Sequence, residues 1–256
     1  MTYIVQPKRI ESSAMAAWPA FEQLTYDGWV LRFAEGFTKR SNSVNPVDDS
    51  TLPLEEKIAH CEQLYSARGL PSIFRLTEFS DPPALDDALQ TRGYRVLDPT
   101  QVMIAPLQET KRAANEAADI TAHPMADWLS HVNAMTAVDS DRAEIRSRLL
   151  QTIEYECCCL IVWRSGQAVG QVLGIVTHGM LGMFMLTVLP EWRRRGLGTT
   201  LTEQLLQWGV SQGVHTAYLQ VEASNVGAQS LYAHCGFEDA YRYWYRIAGN
   251  DSAALS

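Results

Sequence analysis

The sequence predicts a mixed α/β fold made of two similar halves, each a twisted mixed sheet flanked by helices. Of the 256 residues, 46% are apolar and 20% are charged, which is typical of a globular protein with a sizeable core. Strand and helix signals alternate through the second half. The same order of elements recurs, with weaker motifs, in the first half.

The second half opens with helical spacing of apolar residues in "ADWLSHVNAM" and "RAEIRSRLLQTI". Three strands follow, "CCLIVW", "AVGQVLGIV" and "GMFMLTVLP", separated by the turn signals Ser165-Gly166 and His178-Gly179. The rest of the half predicts a helix, a strand, a second helix and a last strand: "TTLTEQLLQWGVSQG", "TAYLQVEA", "NVGAQSLYAHCG" and "AYRYWYRI".

The first half repeats the landmarks of the second. A Val-x-Pro stands at Val44 and again at Val188, and each is followed by a strand and then by a Gly-aromatic pair at Gly93 and Gly236. The polar, Ala-rich stretch around residues 107–119 reads as a linker. We therefore expect two domains, residues 1–110 and 119–256.

The segment "PEWRRRGLGTT", from Pro190 to Thr200, sets three arginines against a Gly-x-Gly just before a predicted helix. Glycines let backbone amides approach an anion, and a helix N-terminus adds partial positive charge. The segment predicts a phosphate site. A dinucleotide fingerprint would need a third glycine where Leu201 stands, and a P-loop lysine is missing. The first half has "VDDSTLPL" at this place, with Asp48 and Asp49 in the turn, so we expect a phosphate to meet negative charge there and only the second half to bind one.

Composition narrows the class of protein. A net charge of −8 argues against nucleic-acid binding, which needs a broad basic surface. The N-terminus lacks a signal-peptide core and no apolar run nears the ~20 residues of a membrane span, so we expect a cytoplasmic protein and no membrane partner. Five cysteines include the run at 157–159, which reads as a buried strand rather than a metal site, and no metal is expected.

Two motifs together resemble the GNAT (GCN5-related) N-acetyltransferase superfamily. The first is Arg193-x-x-Gly196-x-Gly198 after Val188-x-Pro190, similar to its acetyl-CoA signature. The second is "SNVGAQSLYAHCGF", similar to its Asn-x-x-Ala-x-x-Leu-Tyr segment ending in Gly-Phe. The resemblance covers about residues 119–247. The tandem layout is similar to GNAT proteins in which only one half holds the co-substrate.

The resemblance implies roles for individual residues. The Leu186 amide would face the thioester carbonyl, Val188 would bind the pantetheine arm through its backbone, and Tyr232 would protonate the departing thiolate. Asn225 would contact the co-substrate. The resemblance thus implies acetyl-CoA as co-substrate, with these residues expected to bind it: Leu186, Thr187, Val188, Arg193, Arg194, Arg195, Gly196, Leu197, Gly198, Thr199, Asn225 and Tyr232.

The general base is the place where the sequence departs from the superfamily. Many members have a glutamate where this chain has Gly182, and the ribosomal-protein-alanine acetyltransferases have one where it has Gln220. Glu222 lies two residues further and shares a strand face with Gln220. Glu222 is therefore the candidate base, with a solvated edge carboxylate or an indirect base through water as alternatives.

The expected function is N-acetyl transfer to a primary amine by direct attack on the thioester. At pH 7 about one part in two thousand of a lysine amine is neutral, against about one-eighth of an α-amine. Without a strong base, an amine of lowered pKa is therefore the easier acceptor. The competing class is a non-catalytic acyl-CoA sensor or partner-binding module; retention of Tyr232 favours the enzyme, and the missing glutamates favour the sensor.

Overall fold

A computed structural model of the protein describes residues 5–107, 119–136 and 138–248. The described residues form seven α-helices and eleven β-strands. In chain order these are α1 (Pro7–Ala17), β1 (Glu22–Tyr26), β2 (Trp29–Phe33), β3 (Val44–Pro46), α2 (Leu54–Ser66), β4 (Ile73–Thr77), α3 (Leu85–Thr91), β5 (Tyr94–Pro106), β6 (Asp119–His123), α4 (Met125–Met135), α5 (Ser140–Leu150), β7 (Cys157–Arg164), β8 (Gln167–Thr177), β9 (Met180–Val188), α6 (Leu197–Ser211), β10 (Thr216–Glu222), α7 (Val226–His234) and β11 (Glu238–Ala248).

The mixed α/β class is confirmed, and every element predicted in the second half is present within a few residues of its predicted ends. The predicted linker around residues 107–119 lies, apart from its two end residues, outside the described residues. No described helix combines the length and the apolarity that crossing a membrane requires.

The chain divides into two compact units that interleave along the sequence. The larger unit groups Met1–Ala17, Val102–Val221 and Asn225–Ala240, and the smaller unit groups Trp18–Gln101, Glu222–Ser224 and Tyr241–Ser256. The first helix is thus grouped with the second half of the sequence, and most of the last strand with the first half. The division at 1–110 and 119–256 stays a prediction about the sequence repeat.

In the larger unit the strand order is β5-β10-β9-β8-β7-β6. Strands β9 and β10 are parallel, while the pairs β8–β9, β7–β8 and β6–β7 are antiparallel. Leu201 and Leu205 of α6 pack with Cys158 and Leu160 of β7 in one apolar core. The cysteine run is therefore the buried strand that its apolar neighbours predicted. Among the described residues, no group of three or more His, Cys, Asp or Glu side chains is placed to hold a metal.

In the smaller unit the order is β1-β2-β3-β4-β11-β5. Strand β11 pairs antiparallel with β4, with Tyr245 opposite Arg75. The core of this unit includes Trp29, Tyr65 and Phe74. The C-terminal strand of the chain is therefore an interior strand of the unit formed mostly by the first half.

Candidate active site

Strand β9 carries a bulge just before its Val-x-Pro end. Gln171 of β8 pairs with Thr187, but Leu173 pairs with Phe184, so β9 has one residue more than β8 between these pairs. Met185 lies in the bulge with φ of 56°, a left-handed conformation that costs a side-chain-bearing residue about 1–2 kcal/mol. Such bulges re-aim backbone groups and often lie beside active sites.

The two parallel strands of the larger unit stay paired over only part of their length. The β9–β10 register runs from Leu181 opposite Ala217 to Met183 opposite Leu219. Both strands continue past this paired stretch, β9 to Val188 and β10 to Glu222. The backbone of residues 186–188, whose side chains are half-buried, therefore lies beyond the stretch of β9 that pairs with β10.

The arginine-glycine turn connects β9 to α6. Arg194 and Gly196 have φ values of 60° and 79°, and Gly196 is the N-cap, with no side chain capping the helix. The first bond of the helix runs from Thr200 N to Gly196 O, at 3.0 Å. The backbone amides of residues 196–199, which include Leu197, Gly198 and Thr199, consequently have no acceptor within the helix. They form the donor set that an anion would use.

The arginine side chains of this turn are exposed. Arg193 Nε donates to Val188 O at 3.0 Å, and the Arg195 guanidinium lies 4.8 Å from the Trp192 ring centroid. Arg193 thus ties the turn to the end of β9. The turn combines free backbone amides with positive charge, as its sequence predicted.

Gly198 brings α6, α7 and β9 together. A Cβ on Gly198 would lie 2.7 Å from Leu231 Cδ1 of α7 and 4.0 Å from Leu186 Cδ2 of β9. A side chain at this position would therefore displace the end of the Leu231 side chain. The contact places the start of α6 beside the helix that carries Tyr232.

Tyr232 lies on α7 and is 9% exposed. Its ring meets Phe237 edge-on, with 6.1 Å between ring centroids. Burial, and secondarily Cys235, raises the pKa of the Tyr232 phenol to about 12. The phenol therefore keeps its proton throughout the neutral range.

Asn225 and Glu222 flank the end of β10 and the start of α7. Asn225 is the N-cap of α7, and its Oδ1 accepts a hydrogen bond from Ala228 N at 3.1 Å. Glu222 is exposed, and Ser224 Oγ donates to its carboxylate at 3.5 Å. Asn225 thus caps α7 through its side-chain oxygen, a structural role that the motif alone did not reveal. This hydrogen bond does not use the side-chain NH2 group.

The space that a glutamate would need at position 182 is filled. A Cβ on Gly182 would lie 2.6 Å from both the Tyr218 hydroxyl and the Phe184 ring. Tyr218 is fully buried, and Ser13 of α1 lies 3.5 Å from its hydroxyl while bonding to Thr177 at 2.6 Å. The packing of α1, β8 and β10 around position 182 therefore leaves no space for a glutamate side chain.

The corresponding turn of the first half, after β3, holds a carboxylate of the chain itself. Asp27 accepts hydrogen bonds from Thr51 N and Leu52 N, each at 2.9 Å, and from Thr51 Oγ1 at 2.6 Å. Lys57 Nζ lies 3.1 Å from the same carboxylate. These hydrogen bonds hold the pKa of Asp27 well below its usual range. Asp48, in contrast, is exposed.

A family model described as "Probable histone acetyltransferase Rv0428c C-terminal" matches residues 6–246. The chain belongs to this family, within the GNAT superfamily. The Rv0428c C-terminal family match spans both halves of the sequence, so the family shares the first half as well as the second.

Individual relatives and one solved structure also indicate an N-acetyltransferase. The chain is 29% identical to "Uncharacterized N-acetyltransferase YobR" of Bacillus subtilis, over 94% of this chain and 98% of the relative. It is 41% identical over 76 residues to the [Ribosomal protein bS18]-alanine N-acetyltransferase of Escherichia coli, over 28% of this chain and 51% of the relative. A solved GCN5-related N-acetyltransferase from Kribbella flavida has the same fold, with a TM-score of 0.70, 15% identity and coverage of 97% of this chain and 98% of that one. The protein is therefore an acyltransferase of the N-acetyltransferase type.

The sequence analysis did not identify three residues that the structure shows to be important for the geometry around β9 or for the turn after β3. Gln171 is a single polar residue inside the apolar strand "AVGQVLGIV", which is a readable signal for a buried polar group. Asp27 stands in an Asp-Gly turn, a signal for the hairpin but not for its contact with residues 51–52. Tyr218 is an ordinary strand aromatic in sequence, and only the packing shows that it fills the space beside Gly182.

Proposed function

We propose that the protein transfers the acetyl group of acetyl-CoA to a primary amine, and that the α-amino group is the preferred kind of acceptor. One observation carries the assignment of the co-substrate site. The uncapped amides at the start of α6, with Arg194 and Gly196 in left-handed conformations, lie directly after a strand that continues beyond its paired stretch with its parallel neighbour.

The residues present fit acetyl-CoA. The amides of residues 194–199 would hold the pyrophosphate, and the exposed Arg193, Arg194 and Arg195 would add positive charge. The pantetheine arm would lie along the part of β9 that pairs with β8 but not with β10. It would form a hydrogen bond with the backbone of Val188. A Cβ at Gly196 would meet nothing within 4 Å, so an anion has room there.

In the reaction the amine nitrogen attacks the thioester carbonyl carbon, and the carbonyl oxygen gains negative charge. The Leu186 amide, re-aimed by the bulge, would stabilise that charge as a preorganised donor. The carbon–sulfur bond then breaks, the sulfur takes up a proton, and the amine loses one. Glu222, exposed at the end of β10, is the candidate to accept the amine proton, directly or through water.

Tyr232 would act on the leaving sulfur. With its pKa raised to about 12, it is about 3.5 units less acidic than a thiol of pKa ~8.5, which is about 5 kcal/mol against outright proton transfer. Tyr232 therefore stabilises the developing thiolate by donating a hydrogen bond. The proton that ends on sulfur is the one that the acceptor amine loses, passed on after Glu222 or water has accepted it.

The choice of acceptor rests on the missing glutamate. Because Tyr218 and Phe184 fill the space at Gly182, no strong base lies at that position, and an amine that is partly neutral at pH 7 reacts more easily. The [Ribosomal protein bS18]-alanine N-acetyltransferase of Escherichia coli, which by its name acts on an alanine, is 41% identical to this chain over 76 residues. Both points support an α-amine over a lysine side chain.

A thiol-release assay with matched peptides tests the proposal. One peptide carries a free N-terminus and no lysine; the other has the same sequence with an acetylated N-terminus and one lysine. We expect CoA release with the first and at least about tenfold less with the second, with one molecule of CoA bound per chain by calorimetry. The reverse preference would contradict the acceptor class.

A sensor that binds acyl-CoA without turning it over is the second candidate. The filled space at Gly182 favours it, because binding needs no base. Calorimetric binding of acetyl-CoA without thiol release across a broad amine panel, including diamines, aminosugars and peptides, would support the sensor and contradict the enzyme.

A further inference from the structure

The bulge carbonyl of β9 is held by two side chains that take no part in the reaction described above. Met185 O accepts hydrogen bonds from Gln171 Nε2 and, at 3.1 Å, from Thr187 Oγ1. We propose that Gln171 is a positioning residue for acetyl transfer: it fixes the Met185–Leu186 peptide and thereby aims the Leu186 amide. This inference rests on the proposed function.

The link from Gln171 to the Leu186 amide is the planar trans peptide. The carbonyl of Met185 and the N–H of Leu186 belong to one rigid unit and point in opposite directions. Holding the oxygen therefore sets the direction of the N–H. Regular strand pairing cannot do this at a bulge, because the extra residue leaves the ladder.

The backbone at Met185 needs such support. Its φ of 56° is a strained conformation for a side-chain-bearing residue, and strain of this kind persists only where the surroundings over-determine it. The hydrogen bonds that Gln171 Nε2 and Thr187 Oγ1 donate to Met185 O provide this support. They also polarise the peptide, which strengthens the Leu186 N–H as a donor where charge develops in the transition state.

Stability alone does not explain a glutamine at this position. Gln171 is fully buried, and its Oε1 accepts no hydrogen bond from any described residue. A buried acceptor without a donor destabilises the folded state, and an apolar residue of the same length would remove that cost. The buried Oε1 without a donor destabilises the folded state. The hydrogen bond from Nε2 to Met185 O is therefore the reason we give for a glutamine at this position.

Gln171→Met tests the inference, because it keeps the length of the side chain and removes the donor. We expect turnover at saturating acetyl-CoA to fall about 10- to 100-fold, less than the loss of a direct oxyanion donor. CoA affinity should stay the same, so that the loss appears in turnover and not in binding. The melting temperature should change little, because Thr187 Oγ1 still donates to Met185 O and the buried oxygen without a donor is gone.

Two further variants complete the test. Gln171→Leu removes both polar atoms of the side chain, so it should lose turnover in the same way. Gln204→Met, the same substitution as the first on the exposed side of α6, should change nothing. Parent-like turnover in a folded Gln171→Met or Gln171→Leu protein overturns the inference, as does failure of both variants to fold, which would make Gln171 structural. Failure of the parent itself to bind acetyl-CoA or release thiol would instead overturn the proposed function.

Discussion

Tyr232 combines a buried ring with a phenol that stays protonated far above neutral pH. Tyr232→Phe keeps the ring and its contact with Phe237, so the fold should be preserved. We expect turnover to fall about 10²- to 10³-fold, the range for losing one hydrogen-bond donor to developing negative charge, with nearly unchanged CoA affinity. Single-turnover rates at saturating acetyl-CoA measure this, and equal rates for variant and parent would remove Tyr232 from the mechanism.

The raised pKa of Tyr232 also predicts how the activity depends on pH. An activity limb that rises or falls between pH 6 and 10 cannot belong to a phenol whose pKa is about 12. We therefore expect the pH profiles of the parent and of Tyr232→Phe to share the same apparent pKa values in this range and to differ only in height. A limb below pH 10 that disappears in the variant would contradict this.

Gly198 is the residue at which the anion site and the packing coincide. Gly198→Asp would push a side chain toward Leu231 and add negative charge to the turn, so CoA affinity should fall at least about 100-fold. Gln204→Glu adds the same charge to an exposed position of α6 and should bind CoA like the parent. Calorimetry on folded proteins decides, and unchanged affinity in Gly198→Asp would refute the site.

At the scale of elements, the two turns that follow the Val-x-Pro strands have diverged in what they hold. The turn before α6 leaves the first amides of its helix without a side-chain cap, whereas the turn before α2 gives its amides to Asp27. The sequence pointed to Asp48 and Asp49 as the reason that the first half cannot hold a phosphate. The structure supports a different reason, because an internal carboxylate already lies on these amides.

Asp27→Ala should therefore destabilise the protein without affecting the co-substrate site. The substitution leaves two backbone amides and the buried Lys57 ammonium without their carboxylate, so the melting temperature should drop by several degrees. Because the pKa of Asp27 is lowered, its contribution is present at neutral pH and lost in acid. Thermal melts at pH 7 should show the loss, and melts in strong acid should show less of it.

Asp49→Asn is the control for this substitution. Asp49 is exposed, and its side chain should tolerate neutralisation with no change in melting temperature. If Asp27→Ala melted like the parent at pH 7, the carboxylate would not be stabilising the turn.

How much could be read from the sequence differs between the halves. Apolar periodicity and the glycine and proline signals located the strands and helices of the second half, since these signals are local. The bulge at Met185 and the contact of Gly198 with Leu231 depend on register and packing, which no local pattern encodes. In the first half the Val-x-Pro and Gly-aromatic landmarks survive, but the hydrogen bonds from residues 51–52 back to Asp27 connect distant positions and could not be predicted.

At the scale of the whole molecule, buried acids make the fold sensitive to alkali. Burial raises the pKa of Cys158, Cys159 and Cys61 to about 12 and that of Cys157 to about 11. Since the unfolded chain loses these protons near pH 9, the stability they contribute is full below pH 9 and declines as pH rises toward 12. We expect the melting temperature to fall steadily above pH 9.

Cys158→Ala tests the source of this decline. At pH 7 the variant should be slightly less stable than the parent, because a buried sulfur is removed. Above pH 9 the two melting temperatures should converge, because the variant has one thiol fewer to ionise. A melting temperature of the parent that stayed level from pH 8 to 11 would contradict the alkaline prediction.

The last strand of the chain has a consequence for biosynthesis. Residues 243–247 pair with β4 in the smaller unit, yet the ribosome makes them roughly 160 residues after that strand, at a rate of about 5–20 residues per second. The smaller unit therefore waits many seconds for an interior strand, with the edge of β4 open to other chains in the meantime. Nascent chains stalled before residue 241 should stay sensitive to protease in the segment 18–101, and emergence of residues 243–247 from the ribosome should be the event that protects it.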